Sequence, residues 1–160
     1  MTDHNREFYT VRGYALLKQE DSNLTPSMED YLEMAYRLGK AKGYTRIGDL
    51  AEALHVQPPS ASKMVQKLSD LGYFNYQKYG LIEFTIQGQD LGNYLLSRHQ
   101  IIDRFLTLIG VTQGGLEETE KIEHNLSEET VHRLELLVSF LAQSDEWLAY
   151  LIRHEQKNEP

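Results

Sequence analysis

The chain reads as a mainly α protein in which an N-terminal winged helix-turn-helix unit precedes an all-helical half. Three observations predict this. Between Thr25 and Gly72, apolar residues recur at three- and four-residue spacing in three short runs, separated by glycine, proline and capping residues. Two β-rich runs then meet at a Tyr79-Gly80 turn. From Gln87 onward the spacing is helical throughout. The expected division is an extension over residues 1–24, a winged helix-turn-helix over 25–86 and a helical domain over 87–160.

Residues 1–24 show no clean period and end in the polar run Glu20-Asp21-Ser22-Asn23, which predicts an arm. Thr25-Pro26 opens the first helix, a capping residue with proline at the first helical position. Leu32, Ala35, Tyr36 and Leu38 are its apolar positions and Gly43 is its expected end. Thr45 is expected to cap a short second helix carrying Ile47, Leu50, Ala51 and Leu54. His55 to Pro58 breaks it, and Pro59-Ser60 starts a third helix with Met64, Val65 and Leu68 inward, stopping at Leu71-Gly72. Tyr73–Lys78 and Leu81–Thr85 form the hairpin. A long helix from about Gln87 to Ile109 carries Leu91, Leu95, Ile102, Phe105, Leu106 and Ile109. Gly114-Gly115 precedes another, and Ser127 caps the next, with Val131, Leu134, Leu137, Val138 and Leu141 inward. Trp147, Leu148 and Leu151 mark a last short helix. The apolar stripes of this half exceed what one thin domain can bury, which predicts a subunit interface and a homodimer.

Composition narrows the function classes. With 41% hydrophobic residues in 160, the chain is long enough to bury a core. No apolar run approaches the roughly 18 residues of a membrane span, and no leader-type stretch opens the sequence, so no membrane partner is expected. Cysteine is absent, which excludes disulfides, thiolate zinc fingers and thiol catalysis and fits a cytoplasmic location. The net charge of −8 argues against nucleic acid until its distribution is examined. Residues 36–80 carry seven basic and three acidic groups, so an acidic protein contains a locally basic middle suited to phosphate.

Glu120, Glu123 and His124 share one helical face by spacings of three, four and one. Two carboxylates and an imidazole in a chain without thiols suit a borderline-to-hard divalent cation such as Mn²⁺ or Fe²⁺. By composition alone the same run also reads as a solvated acidic helix. Asp30 and Glu33 are one turn apart near a helix N-terminus, as ligands or as complements to the helix dipole, with Asp30 capping through Ser27. His99 sits beside an apolar stripe, as ligand or as a half-buried ring. In the third helix Ser60 and Ser62 stand at the N-terminal end, where side chains meet base edges, and Lys63, Gln66 and Lys67 follow as phosphate or guanine contacts.

These segments together, Thr25-Pro-Ser-Met-Glu-Asp-Tyr-Leu-Glu33, Arg98-His99 and Ile122-Glu-His124, resemble the diphtheria-toxin-repressor family of metal-dependent regulators, most closely its manganese transport regulator branch. Asp49–Leu54 and Ser62–Leu68 resemble that family's DNA-binding element. The resemblance covers residues 25–142 and implies a homodimeric transcriptional repressor of metal-uptake genes that binds double-stranded operator DNA. It also implies a two-metal site of Asp30, Glu33, His99, Glu120, Glu123 and His124, with two Mn²⁺ per subunit and Fe²⁺, Co²⁺, Zn²⁺ or Cd²⁺ as surrogates. Iron-responsive members place methionine and cysteine at the positions of Asp30 and Glu120, so oxygen donors there imply manganese. Three departures stand out: the wing tip Lys78-Tyr79-Gly80 lacks an expected arginine, Gln87–Asp90 is less basic than usual, and Asn125 replaces a histidine. Lys78 remains the expected DNA contact of the wing, and no SH3-like third domain fits the remaining chain.

Two rival readings make weaker use of the residues. A carboxylate-bridged di-metal enzyme needs two Glu-x-x-His motifs among its ligands, and Glu129/His132, which has that spacing, lies outside the ligand set. A winged-helix sensor of a small organic ligand leaves the carboxylates unexplained. Neither an enzyme nor a small-molecule substrate is expected.

Overall fold

The computed structural model describes residues 24–76 and 80–155. Its contacts divide the chain into two compact units, Met1–Gly92 and Asn93–Pro160.

In the first unit, helix α1 (Pro26–Gly39) starts as its sequence dictates. Thr25 is extended, and its hydroxyl accepts the Met28 amide while proline fills the first turn. The cap therefore belongs to Thr25, and Ser27 with Asp30 is not needed for it. The helix ends at Gly39, earlier than Gly43, which instead takes a positive φ of 80° at the turn into strand β1 (Tyr44–Arg46). That strand corrects the reading of Thr45 as a helix cap. Thr45 is buried opposite Ile82, and the next helix, α2 (Ile47–Ala53), starts after Arg46 with no side-chain cap. Helix α3 (Pro58–Asp70) follows and stops at Leu71, with Gly72 at φ 85°. Strands β2 (Phe74–Tyr76) and β3 (Leu81–Phe84) complete an antiparallel sheet in the order β1-β3-β2, with Phe74 opposite Phe84 and Tyr76 opposite Ile82.

The core of this unit draws on every element so far. Leu32, Ala35, Leu50, Ala51, Ala61, Val65, Leu68, Phe74 and Ile82 are at most 2% exposed. Phe84 meets Phe74 and Tyr36 edge-on at 5.6 and 6.0 Å. Leu38, expected inside, is 41% exposed, because the helix turns Ala35 and Gly39 inward instead. Met64 and Leu54 are half-buried.

Helix α4 (Ile86–Leu108) begins in the first unit and continues in the second. Its start is tied down by Thr85, whose hydroxyl donates to the Gly72 and Tyr73 carbonyls and accepts the Gly88 amide. Gly88 and Gly92 are one turn apart for a steric reason. A Cβ at Gly88 would lie 1.9 Å from the Tyr73 carbonyl oxygen, and one at Gly92 would lie 2.7 Å from the Tyr36 ring.

The second unit contains the rest of α4, then α5 (Gly115–Glu123), α6 (Glu128–Leu141) and α7 (Asp145–Glu155). Gly114 enters α5 at φ 71°, and the Ser127 hydroxyl caps α6 by accepting the Thr130 amide. Leu95, Leu96, Ile102, Leu106, Val131 and Val138 are buried, and Trp147 Nε1 donates to the Leu108 carbonyl at 2.7 Å. Leu137, expected inward, is 42% exposed within this chain, beside Leu136 and Phe140 at 52% and 68%. These belong to the apolar surplus that predicted a partner. No helix among the described residues is long and apolar enough to cross a membrane.

Candidate metal centre and nucleic-acid face

Helix α5 sorts its charges by face. Lys121 donates to Glu117 at 2.7 Å and Glu118 at 3.2 Å, one turn earlier. The hydrogen bond and charge of Lys121 hold the Glu117 carboxyl below its ordinary value, while the two carboxylates hold the Lys121 ammonium above its own. These groups are solvated and occupied with one another. Glu120, Glu123 and His124 lie on the other side, each offering a ligand atom within 4.8 Å of the others. His124 is the C-cap of the helix, so the ring follows the last turn instead of lying within it.

Helix α4 brings His99 to the same place. Its Nδ1 is 3.0 Å from Glu123 Oε2 and 3.5 Å from Glu120 Oε1, and the ring is buried. Glu123 is only 1% exposed, and its other oxygen lies 3.7 Å from His124 Nε2. A buried carboxylate thus sits between two imidazoles, with the more exposed Glu120 at its edge. Arg98, 2% exposed, approaches His124 Nδ1 through Nη2 at 3.4 Å.

In the first unit, α1 carries Asp30 and Glu33. Asp30 is half-buried. Glu33 is buried, and its Oε1 accepts two hydrogen bonds from Arg37, through Nε at 2.9 Å and through Nη2. The structure therefore brings together four of the six expected ligands in the second unit and sets the other two one turn apart in the first.

Helix α3 has one face in the core through Ala61, Val65 and Leu68. Ser60, Lys63, Gln66 and Lys67 are exposed, as expected of a reading face. Gln66 Nε2 donates to Asp70 Oδ1 at 2.9 Å. Ser62 differs, being half-buried with its hydroxyl 3.1 Å from that of Tyr76 on β2. Lys78 and the extension before Leu24 lie outside the described residues.

Comparison with known proteins gives this arrangement its context. Residues 23–81 match the family model described as the iron dependent repressor N-terminal DNA binding domain, and residues 85–146 match the iron dependent repressor metal binding and dimerisation domain. The chain is 44% identical over 136 residues to the HTH-type transcriptional regulator MntR of Bacillus pumilus (strain SAFR-032), covering 84% of this chain and 94% of that protein. The chain belongs to the iron-dependent-repressor family. A second MntR, from Geobacillus kaustophilus (strain HTA426), is 42% identical over 84% of this chain and 96% of its own. The solved structure of the manganese regulator SloR aligns with a TM-score of 0.61 at 31% identity, covering 73% of this chain and 55% of SloR.

As a member of this family the chain is a DNA-binding, metal-dependent transcriptional regulator and not an enzyme. Its metal-binding and dimerisation domain is the one that clusters His99, Glu120, Glu123 and His124. Three residues at these two sites were not singled out from the sequence. Arg37 had a signal, the i,i+4 spacing from Glu33. Arg98 was noticed only as the neighbour of His99, and Tyr76 carried no local sign of meeting Ser62.

Proposed function

We propose that this regulator is a manganese-responsive repressor of metal-uptake genes, a cytoplasmic homodimer that binds operator DNA when Mn²⁺ occupies a two-metal site. Asp30 and Glu33 on α1 would hold the ions together with His99, Glu120, Glu123 and His124. The observation that carries this reading is the Glu123 carboxylate, 1% exposed between His99 and His124. A buried carboxylate flanked by two imidazoles and a second carboxylate is a donor set suited to a divalent cation. Glu120 adds a second carboxylate within 4.8 Å, where two such charges at an effective dielectric of ~20 repel by about 3 kcal/mol before solvent screening at Glu120. The donors are oxygen and imidazole only, which fits Mn²⁺ better than thiophilic metals.

Bound divalent ions would add positive charge among these carboxylates. The chain's own contribution is to distribute ligands between α1, which belongs to the DNA-binding domain, and α4 and α5 of the other domain. Occupancy then restricts the DNA-reading unit, which is a coupling free energy between metal and operator. On the DNA side, Ser60, Lys63, Gln66 and Lys67 face outward for bases and phosphates, Ser62 lies at the edge of that face, and Lys78 is assigned to the wing.

The test is fluorescence anisotropy of labelled genomic fragments, selected by binding in Mn²⁺, titrated with and without the metal. Mn²⁺ should tighten binding at least tenfold, and equilibrium dialysis should find two ions per subunit. Fe²⁺, Co²⁺, Zn²⁺ and Cd²⁺ serve as surrogates for comparison. Replacing Asp30→Met and Glu120→Cys together should weaken Mn²⁺ activation and favour Fe²⁺ or Co²⁺ relatively. Metal-independent DNA binding by the native protein would defeat the reading.

A further inference from the structure

Glu33 does not wait for a metal with its charge unanswered. Its carboxylate, with the side chain 8% exposed, is gripped by Arg37 from the next turn of α1, and both Nε and Nη2 donate to the same oxygen, Oε1. The order, acid four residues before base, is the favourable one on a helix. Guanidinium is permanently charged and here brings two N–H donors to one carboxylate oxygen, a charge-assisted contact. Arg37 is itself about one-third exposed, so it is partly screened by water but not released from a buried partner.

Resting on the metal-site reading above, we propose that Arg37 is a resident cation that competes with the metal for Glu33 and raises the metal concentration at which the regulator responds. Two mechanisms act in the same direction. The oxygen that accepts both N–H groups has its lone pairs engaged, so a metal must take the carboxylate through its other oxygen or displace the fork. The positive charge of Arg37 also stands next to the charge of any arriving ion, and a permanent cation there opposes binding. The opposing possibility is that Arg37 orients Glu33 for coordination, as hydrogen-bonded partners of ligands often do. Charge and orientation predict opposite signs when the arginine is removed.

The experiment is calorimetric titration of the full chain with MnCl₂, for the native protein and for Arg37→Met, Arg37→Gln and Arg37→Lys. Arg37→Met should bind Mn²⁺ about tenfold more tightly, an effect reduced from the unscreened Coulomb limit by the exposure of the site. Arg37→Gln keeps a donor without the charge and should follow Arg37→Met, while Arg37→Lys should stay near native. Melting of the metal-free protein is the second readout. Arg37→Met should lower that midpoint while enlarging the upward shift caused by Mn²⁺, whereas a merely structural role would lower both. Weaker or unchanged Mn²⁺ binding in Arg37→Met overturns the proposal, as does native affinity in Arg37→Gln. If Arg37→Met fails to fold, the Gln and Lys pair decides alone. Glu33→Gln separates the two readings: unchanged Mn²⁺ binding there removes Glu33 from the ligand set. Weakened binding there with no gain in Arg37→Met removes only the competition.

Discussion

The two units of this chain use their interiors differently. The first is filled mainly with aliphatic and aromatic side chains from three helices and a three-stranded sheet, with Glu33 and Thr45 as its buried polar residues. The second places Arg98, His99, Thr119 and Glu123 among its buried residues while leaving Leu116, Leu136, Leu137, Phe140, Leu148 and Ile152 at 42–68% exposure. A small domain that buries charged and polar side chains has less interior left for its apolar residues. The first unit is thus the packed scaffold of the DNA binding domain. The second gives part of its core to polar side chains and leaves apolar surface exposed within one chain, in keeping with its dimerisation domain.

That contrast can be broken at its strongest point by putting charge on the apolar surface of α6. Leu136→Asp with Phe140→Asp should dissociate the dimer, at a cost on the order of 5 kcal/mol for burying two carboxylates without partners. Sedimentation at micromolar concentration reads this directly, and a persistent dimer would place the interface elsewhere. Phe74→Ala tests the other side of the comparison. Removing a ring 1% exposed should cost about 3–5 kcal/mol in denaturant unfolding while leaving the sedimentation of the folded fraction unchanged.

Smaller effects sharpen the division of labour. Lys63→Ala and Lys67→Ala should each weaken DNA binding without altering Mn²⁺ stoichiometry, and each lost phosphate contact should lower the salt slope by about 0.9. Unchanged affinity in both variants would mean that α3 is not the reader. Tyr76→Phe removes only the hydroxyl facing Ser62 and should cost about 1 kcal/mol in stability. Its DNA affinity should fall no more than a few-fold, since Ser62 retains its own hydroxyl; a larger loss would make Tyr76 a DNA contact itself.

What was legible in the sequence was local. Thr25-Pro26 announces α1 because capping and proline act within one turn, and Ser127 announces α6 for the same reason. Strand β1 was not legible. Tyr44–Arg46 has three residues, too few for alternation, and it becomes a strand through pairing with Leu81–Glu83, far along the chain. The same distinction holds at the site. Glu120, Glu123 and His124 are neighbours by helical spacing, but His99 joins them through the packing of α4 against α5, which the family resemblance supplied and periodicity could not. Arg98 meeting His124 and Tyr76 meeting Ser62 are tertiary facts of the same kind. Arg37 holding Glu33 is not: the two are one helical turn apart, so the signal was local.

A dimerisation domain also ties stability to copy number. When folding is completed only by a second subunit, unfolding includes dissociation, and the melting midpoint follows protein concentration. Each tenfold dilution removes about 1.4 kcal/mol from the assembled state. A cell that makes little of this regulator therefore holds it closer to its unfolding threshold than one that makes much, with no change in sequence, metal or temperature.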